Sequence, residues 1–454
     1  MATTPSNRRG APGPGAPLSD WLSWLEGLHS AAIDLGLDRL IPVRDALGLK
    51  RPGFRVLTVA GTNGKGSSVA LAEALLRADG CRTGAYTSPH LIEFNERIRV
   101  DGENASDQAI VSALCQVEAA RGDASLSYFE YTTLAALLLF REQGVDHAVL
   151  EVGLGGRLDA VNMVDADVAL LTRVALDHAD WLGSDLAGIA REKAGVCRPG
   201  RSAVVADGQV GGHLHRAAED SGARVHLAGR DFSWQGASEE NWSWRGPQAQ
   251  SLQSLPVEPW WQRSWQRDNA SGALAAVALL RPSAVADGPR VVNVLSEIRL
   301  PGRVQRMPGP PETLLDVAHN PDAALALADW LAAHPVAGSV RAVIGMKADK
   351  DVGGVIAALM PYVDEWWPAD LSAQGGLGSA ELSARLPDTA TVAMDARTAA
   401  LTPEHCWRAA SRASADTDRI LVLGSFFTVG PVLREWRDTR QTAAVSQSVE
   451  KGSP

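Results

Sequence analysis

Short apolar runs rich in β-branched residues alternate with amphipathic stretches along most of the chain, which predicts strands and helices taking turns. Arg55 to Ala60 reads as a strand, Ser67 to Asp79 as a helix and Arg82 to Thr87 as the next strand. A helix over Tyr131 to Glu142 precedes a strand at Ala148 to Val152, and Val168 to Thr172 forms another. After the turn Leu300-Pro301-Gly302 a second series begins, with strand Thr313 to Val317, helix Pro321 to Ala333, and strands Arg341 to Ile344 and Arg419 to Leu423. Strands separated by helices imply an α/β fold with a largely parallel sheet. One stretch breaks the rhythm. Residues 231–265 set Trp234, Trp242, Trp244, Trp260, Trp261 and Trp265 among Ser, Gln, Gly and Pro, and read as a small irregular β region. Packing and surface anchoring are the expected work of these tryptophans, ahead of stacking on a base.

No internal repeat is evident. Residues 1–17 and 440–454 are polar or Pro/Gly-rich and predict disordered tails. Between them lie two expected domains, 18–300 and 301–439, which suits a chain of 454 residues, too long for one ordinary core.

The hydrophobic fraction of 45% and charged fraction of 21% are those of a soluble globular protein. A net charge of -10 argues against a nucleic-acid partner, which wants a basic face. Cys81, Cys115, Cys197 and Cys406 are scattered, with no C-x-x-C pair, which fits a reducing compartment and excludes a thiolate zinc site of the usual spacing. Arg8-Arg9 is followed by Gly, Pro and Ala instead of an apolar core, so no export signal is read there. The longest apolar run, Thr132 to Phe140, is far short of a bilayer span. A cytoplasmic protein without a membrane partner is expected.

The sharpest local signal is Val59-Ala60-Gly61-Thr62-Asn63-Gly64-Lys65-Gly66-Ser67-Ser68, between a predicted strand and a predicted helix. Glycines let several backbone N–H groups point at one anion, and the helix N-terminus adds its positive end. Lys65 can reach β- and γ-phosphates, and Ser67 or Ser68 can assist with phosphate or metal. The loop departs from the Walker A pattern, because Gly66 intervenes between Lys65 and the first Ser, and Val59 stands where the first glycine belongs. An ordinary Gly-rich turn is the alternative, which the lysine inside the turn disfavours. A second cluster, Glu151-Val152-Gly153-Leu154-Gly155-Gly156-Arg157-Leu158-Asp159, also follows a strand but fails as a dinucleotide fingerprint at Leu158.

Glu151 at a strand end, before a glycine turn, is placed as ligand-facing carboxylates often are. Asp177-His178 follows Val168 to Thr172 in the same way. On residue type alone each is more often a satisfied structural polar group than a ligand, and their joint placement at strand ends brings the two readings level. Lys193, late in a predicted helix, reads on composition as a solvated lysine.

Taken together these segments, from about Ile33 to Glu435, resemble the bifunctional dihydrofolate synthase/folylpolyglutamate synthase family of the Mur ligase superfamily. The matching motifs are Gly61 to Ser67, Tyr86-Thr87-Ser88-Pro89-His90-Leu91, Glu151 to Asn162, Leu176-Asp177-His178, Arg191-Glu192-Lys193-Ala194-Gly195, Pro301-Gly302-Arg303 and Asp316-Val317-Ala318-His319-Asn320-Pro321. Thr87 stands where many relatives have Ser, and the Trp-rich stretch is locally diverged. The resemblance implies an N-terminal P-loop ATPase-like domain that binds ATP and pterin, and a smaller C-terminal Rossmann-like α/β domain that adds to the ATP and glutamate sites.

Carried over residue by residue, the resemblance implies that Thr62, Asn63, Gly64, Lys65, Gly66 and Ser67 hold the ATP phosphates, with Asn269, Arg303 and Asp316 also contacting ATP. It implies two Mg²⁺ ions, one on Ser88 and Glu151 and a second on His178. Lys193 is implied to be carboxylated by CO₂, its carbamate helping to organise the metal site. Lys65, Lys193 and His178 are thus the implied catalytic residues. A pterin pocket would be formed by Ala32, Ile33, Asp34 and Leu35 with Ser127, Tyr128, Phe129, Glu130, Leu158, Asp159 and Ala160. His319 and Ser425 would line the site for L-glutamate.

The activity so implied is that of an ATP-dependent ligase joining glutamate first to dihydropteroate and then to folylpolyglutamates through an acyl phosphate, acting as a monomer on small molecules. Three rivals stand beside it: a Mur-type ligase acting on a UDP-linked cell-wall precursor, a P-loop switch or kinase, and a non-catalytic nucleotide-binding module. The Ile33-Asp34-Leu35 segment argues against the first.

Overall fold

A computed structural model describes residues 10–29, 34–208, 211–236, 241–257, 260–393 and 401–451. Among these, the chain before Leu300 builds an eight-stranded sheet from β1 (Arg55–Ala60), β2 (Thr83–Tyr86), β3 (Ile98–Val100), β4 (Glu103–Asn104), β5 (His147–Glu151), β6 (Val168–Leu171), β7 (Ser202–Val205) and β8 (Arg224–Leu227). Their order is β4-β3-β2-β5-β1-β6-β7-β8. The six strands from β2 to β8 in that order run parallel, and β3 and β4 form an antiparallel edge. Every residue of β5 and β6 is buried, as expected for parallel strands covered on both faces. The helix Tyr128–Glu142 contributes to the core on one face, and helices Lys65–Ala78 and Ser264–Leu280 to the core on the other.

The tryptophan-rich segment forms a three-stranded antiparallel sheet, β9 (Ser233–Gly236), β10 (Asn241–Arg245) and β11 (Ser251–Pro256), in the order β11-β10-β9. Trp242, Trp244 and Trp261 are fully buried beneath it, which agrees with the packing role read from the sequence.

Beyond Leu300 a five-stranded sheet follows from β12 (Gln305–Met307), β13 (Glu312–Asp316), β14 (Val340–Ile344), β15 (Glu365–Pro368) and β16 (Arg419–Leu423). Its order is β12-β13-β16-β14-β15, parallel except for β12. The helix Pro321–Ala333 has the predicted bounds and is capped by Asn320, whose side chain accepts from the Ala323 N–H.

Three expectations need correction. The helix predicted from Tyr131 begins at Tyr128, because Ser127 and Glu130 form a capping box: Ser127 N–H donates to Glu130 Oε2 at 2.7 Å and Ser127 Oγ accepts from Glu130 N–H at 3.4 Å. Residues 10–17, expected in a disordered tail, pack down: Ala11 and Ala16 lie against the core and Trp21 Nε1–H donates to the Gly13 carbonyl at 3.2 Å. At the other end the helix Phe426–Lys451 runs through most of the segment read as a tail. The remainder of the N-terminal tail, residues 1–9, lies outside the described residues.

Candidate active site

The C-terminal ends of β1, β5 and β6 face that of β13, and a cleft of about 480 Å³ lies between them. This is the crevice where parallel α/β sheets bind ligands. The loop after β1 carries Gly61 to Gly66, β5 ends on Glu151, and the loop after β6 carries Asp177 and His178. From the other side, Asp316 and His319 follow β13.

The helix Lys65–Ala78 starts inside the glycine loop, earlier than its apolar pattern indicates, with Gly64 as N-cap at φ 89°. A side chain there would be strained, and its Cβ would fall 2.2 Å from Asn269 Oδ1. Gly66 is equally confined: a Cβ would sit 2.4 Å from an Arg303 guanidinium nitrogen and 3.6 Å from Glu151 Oε2. The loop, Asn269, Arg303 and Glu151 therefore converge within contact of each other. Lys65 is half-buried and donates to the carbonyls of Gly61 (3.0 Å) and Thr62 (3.1 Å). Burial lowers its pKa against the opposing charges of Glu151 and Asp177. Burial raises that of Glu151 against Lys65 and Arg303, while Ser88 N–H donates to Glu151 Oε2 at 3.2 Å.

Lys193 contradicts the solvated-lysine reading. It is 4% exposed, lines the same cleft, and forms no salt bridge among the described residues. Burial, helped by the nearby Lys65 charge, lowers its pKa to about 7 despite Asp177 and Asp159. The glycine turn after β5 makes this burial feasible. A Cβ on Gly156 would lie 2.6 Å from the Glu192 carbonyl and 3.0 Å from Lys193 Cα, so only glycine lets the helix Leu186–Ala194 come this close. The second glycine cluster thus serves helix packing, consistent with its failure as a dinucleotide fingerprint.

Asp177 is the hub of the domain contact. It accepts from Lys350 Nζ at 2.6 Å and from Asn320 Nδ2 at 3.2 Å, and His319 Nε2 lies 3.5 Å away. Burial opposes its charge, yet His319 and Lys350 hold its carboxyl well below the usual carboxylate range. His178 adopts φ 53°, and burial, with Lys350 beside it, brings its pKa down to about 4. Asp316 accepts from Val304 N–H and Ala318 N–H, each at 2.8 Å, and burial raises its pKa to about 6. His319 Nδ1–H donates to the Val317 carbonyl at 2.8 Å.

Ser425 is buried, its Oγ accepting from the Phe427 N–H at 3.2 Å, and the neighbouring Phe426 faces the cleft instead. The implied pterin residues stand apart from the cleft wall. Ala32 and Ile33 lie outside the described residues. Asp34 and Glu130 are joined by the Arg39 guanidinium, which lies 2.5 Å from Asp34 Oδ2 and 2.9 Å from Glu130 Oε1. Phe129 packs on the turn after Glu151, where a Gly153 Cβ would be 2.7 Å from the Phe129 ring. Asp159, pushed up to about 6 by burial, braces that turn by accepting from Leu154 N–H at 2.8 Å. Leu158 and Ala160 flank it, Ala160 opening a short helical turn.

Several contacts along the wall escaped the sequence reading. Asn63 Nδ2 donates to Asn320 Oδ1 (3.1 Å) and Asp322 Oδ2 (2.8 Å), and Arg173 pairs with Asp322 at 2.8 Å. Trp234 and Trp265 line the cleft with Phe232, an exception to the packing role given to the tryptophans. Their only sequence signal was aromatic density.

Two sequence models cover the chain on either side of the domain boundary: the Mur ligase middle domain over residues 59–240 and the Mur ligase glutamate ligase domain over residues 302–426. Fold and cleft define a Mur-type ligase. The Dihydrofolate synthase/folylpolyglutamate synthase of Escherichia coli (strain K12) is 40% identical over 422 residues, covering 92% of this chain and 95% of the relative. Among solved structures, E. coli FolC in complex with DHPP and ADP superposes with a TM-score of 0.86 at 40% identity, over 95% of this chain and all of the other. A bifunctional folylpolyglutamate synthase/dihydrofolate synthase with Mn, AMPPNP and L-glutamate bound gives 0.84 at 40%, over 94% and 100%. The chain belongs to the dihydrofolate synthase/folylpolyglutamate synthase family, and the cell-wall ligase reading is set aside. No helix among the described residues is long and apolar enough to cross a membrane.

Proposed function

We propose that this ligase uses ATP and a divalent cation to join L-glutamate to dihydropteroate, giving dihydrofolate, and to lengthen folylpolyglutamates. The observation that carries this reading is the convergence of Lys65, Glu151, Lys193 and Arg303 on one cleft whose far wall brings Asp316 and His319. Thr62 to Ser67 cradle the phosphates by backbone N–H groups and the helix N-terminus. Asn269, Arg303 and Asp316 hold the nucleotide from the flank and the second domain.

The substrate carboxylate oxygen attacks the γ-phosphorus, the bond from phosphorus to the β–γ bridging oxygen breaks, and ADP leaves. Lys65 and Arg303 offset the charge that develops there. The neutral amine of glutamate then attacks the acyl carbon, phosphate departs, and the nitrogen loses a proton. His319 and Phe426, which line the cleft, would face the incoming glutamate, with the buried Ser425 next to Phe426 in the chain.

Among the described residues no group of three His, Cys, Asp or Glu side chains is arranged to hold a metal. The donors present nonetheless fit Mg²⁺, which takes few protein oxygens and keeps waters. Glu151 is a buried carboxylate beside Ser88, and His178 is a neutral imidazole on the neighbouring loop. Mg²⁺ bound there would screen phosphate charge. Lys193, buried and depressed to about 7, has the neutral amine that reaction with CO₂ requires, and the carbamate is an added oxygen donor. Asp34, Arg39, Glu130 and Phe129 shape the pterin pocket. The cleft is completed within one chain, which suits a monomer.

The test is ATP consumption by purified enzyme supplied with dihydropteroate, with and without glutamate. ADP and phosphate released in step with glutamate incorporation are expected. Phosphate release indifferent to both acceptors would overturn the reading.

A further inference from the structure

Lys350, which follows β14, inserts across the domain contact beside the loop that carries His178. Its side chain is only 7% exposed, with Nζ 2.6 Å from Asp177 Oδ1 and 3.1 Å from His178 Nε2. An ammonium has donors only, so Nε2 must supply the lone pair in this contact. A neutral imidazole has one such nitrogen, and Nδ1 therefore carries the ring proton. Nδ1 faces Asp349 Oδ2 at 3.9 Å, a suitable direction for an N–H. The backbone that carries the ring is anchored. The His178 backbone sits at φ 53° and its N–H donates to Asp177 Oδ1 at 2.9 Å. Asp177 is itself anchored by Asn320 and flanked by His319.

We propose that Lys350 and a divalent cation compete for the single lone pair of the His178 ring, which makes Lys350 a positioning residue that controls entry of the second cation. This rests on the reading of His178 as a cation ligand. While Lys350 donates to Nε2, His178 has no nitrogen left to bind metal. Because Lys350 is carried by the C-terminal sheet and His178 by the N-terminal one, the exchange couples cation entry to the contact between the domains. The bland alternative is a salt bridge to Asp177 that merely passes His178.

The tautomer of His178 separates the two. In the ligand-free, ¹⁵N-histidine-labelled full chain, His178 Nε2 is expected to resonate as an unprotonated acceptor with the proton on Nδ1. Lys350→Met should return the ring to the Nε2–H form. A wild-type ring already protonated on Nε2 overturns the proposal, and this measurement needs no substitution. Mn²⁺ titration of nucleotide-free enzyme, followed by electron paramagnetic resonance, supplies the second readout. Lys350→Met should tighten one Mn²⁺ site by about tenfold, the range of ordinary site couplings. The gain should vanish in His178→Ala/Lys350→Met. A gain that persists in the double variant comes from unmasking Asp177 and overturns the competition, as does no gain at all. Failure of the ligand reading looks different: with a non-hydrolysable ATP analogue present, His178→Ala would bind as many Mn²⁺ ions as wild type.

Discussion

Replacing Lys193 by methionine removes a charge while keeping most of the volume, and so measures how strongly the fold works against this lysine. Burial and Lys65 bring its pKa from 10.5 to about 7. At about 1.36 kcal/mol per unit, that gap corresponds to ~5 kcal/mol lost from folding in acid, ~4 at pH 7 and ~3 at pH 8. Water entry and local relaxation reduce such penalties, so ~1–3 kcal/mol is the working figure. The sign follows from proton counts. Between pH 7 and 10.5 the unfolded chain holds the lysine proton and the folded chain does not, so this site makes wild type more stable as pH rises through that window. Lys193→Met should be the more stable protein at pH 7 by ~1–3 kcal/mol, an advantage that shrinks towards pH 10.5, and should have lost ligation. The assay is urea unfolding of ligand-free protein in CO₂-stripped buffer with chelator, at several pH values between 6 and 10. Equal stability at pH 7 with an unchanged pH slope would refute the reasoning, and the carbamate would lose its physical basis with it.

Lys65→Ala should lower turnover by at least ~10²-fold, the scale for removing one preorganised charge partner of a transition state. Its stability should stay within ~1 kcal/mol, because the lost contacts are two bonds to loop carbonyls at a half-buried site. ADP release and thermal unfolding measured side by side decide it, and loss of folding with retained specific activity would remove Lys65 from the phosphate site. Deleting residues 1–9 should leave both activities and stability unchanged, whereas deleting 1–17 should cost ~1–2 kcal/mol by stripping the Gly13 carbonyl from Trp21 and uncovering Ala11 and Ala16 contacts. Urea midpoints of the two truncations check this.

Much of the fold was legible because parallel strands buried on both faces are rich in apolar residues, most plainly β6 (Val-Ala-Leu-Leu) and β16 (Arg-Ile-Leu-Val-Leu). What the pattern missed has identifiable causes. β15 (Glu-Trp-Trp-Pro) has too few residues for a period, and β3 and β4 are short strands of mixed polarity at one end of the sheet. The helix before β5 was read three residues late because its first turn is set by the Ser127–Glu130 hydrogen bonds, which an apolar template does not register. The glycine loop, Glu151 and Asp177-His178 were visible since each lies just after an apolar run. Lys193 was not, on residue type alone, because its burial depends on Gly156 being small, thirty-seven positions earlier in the chain.

What no local pattern announces is which residues face one another across the domain boundary. Asn63, Arg173 and Asp177 meet Asn320, Asp322 and Lys350, partners separated by 257, 149 and 173 positions for the pairs Asn63–Asn320, Arg173–Asp322 and Asp177–Lys350. Each partner, taken singly, is an ordinary polar residue after a strand. Their meaning appears only once the ends of two parallel sheets are set against each other, since every one of them sits beyond a strand C-terminus. This arrangement also resolves the tension between a net charge of -10 and a polyanionic substrate. Lys65, Lys350, Arg173 and Arg303 are gathered at one cleft or its rim, opposite Glu151, Asp177, Asp316 and Asp322, with Lys193 buried on the same cleft. The acidic groups keep those cations in place in a poorly solvated crevice, and an arriving phosphate can take over as their partner without further positive charge being needed elsewhere on the surface.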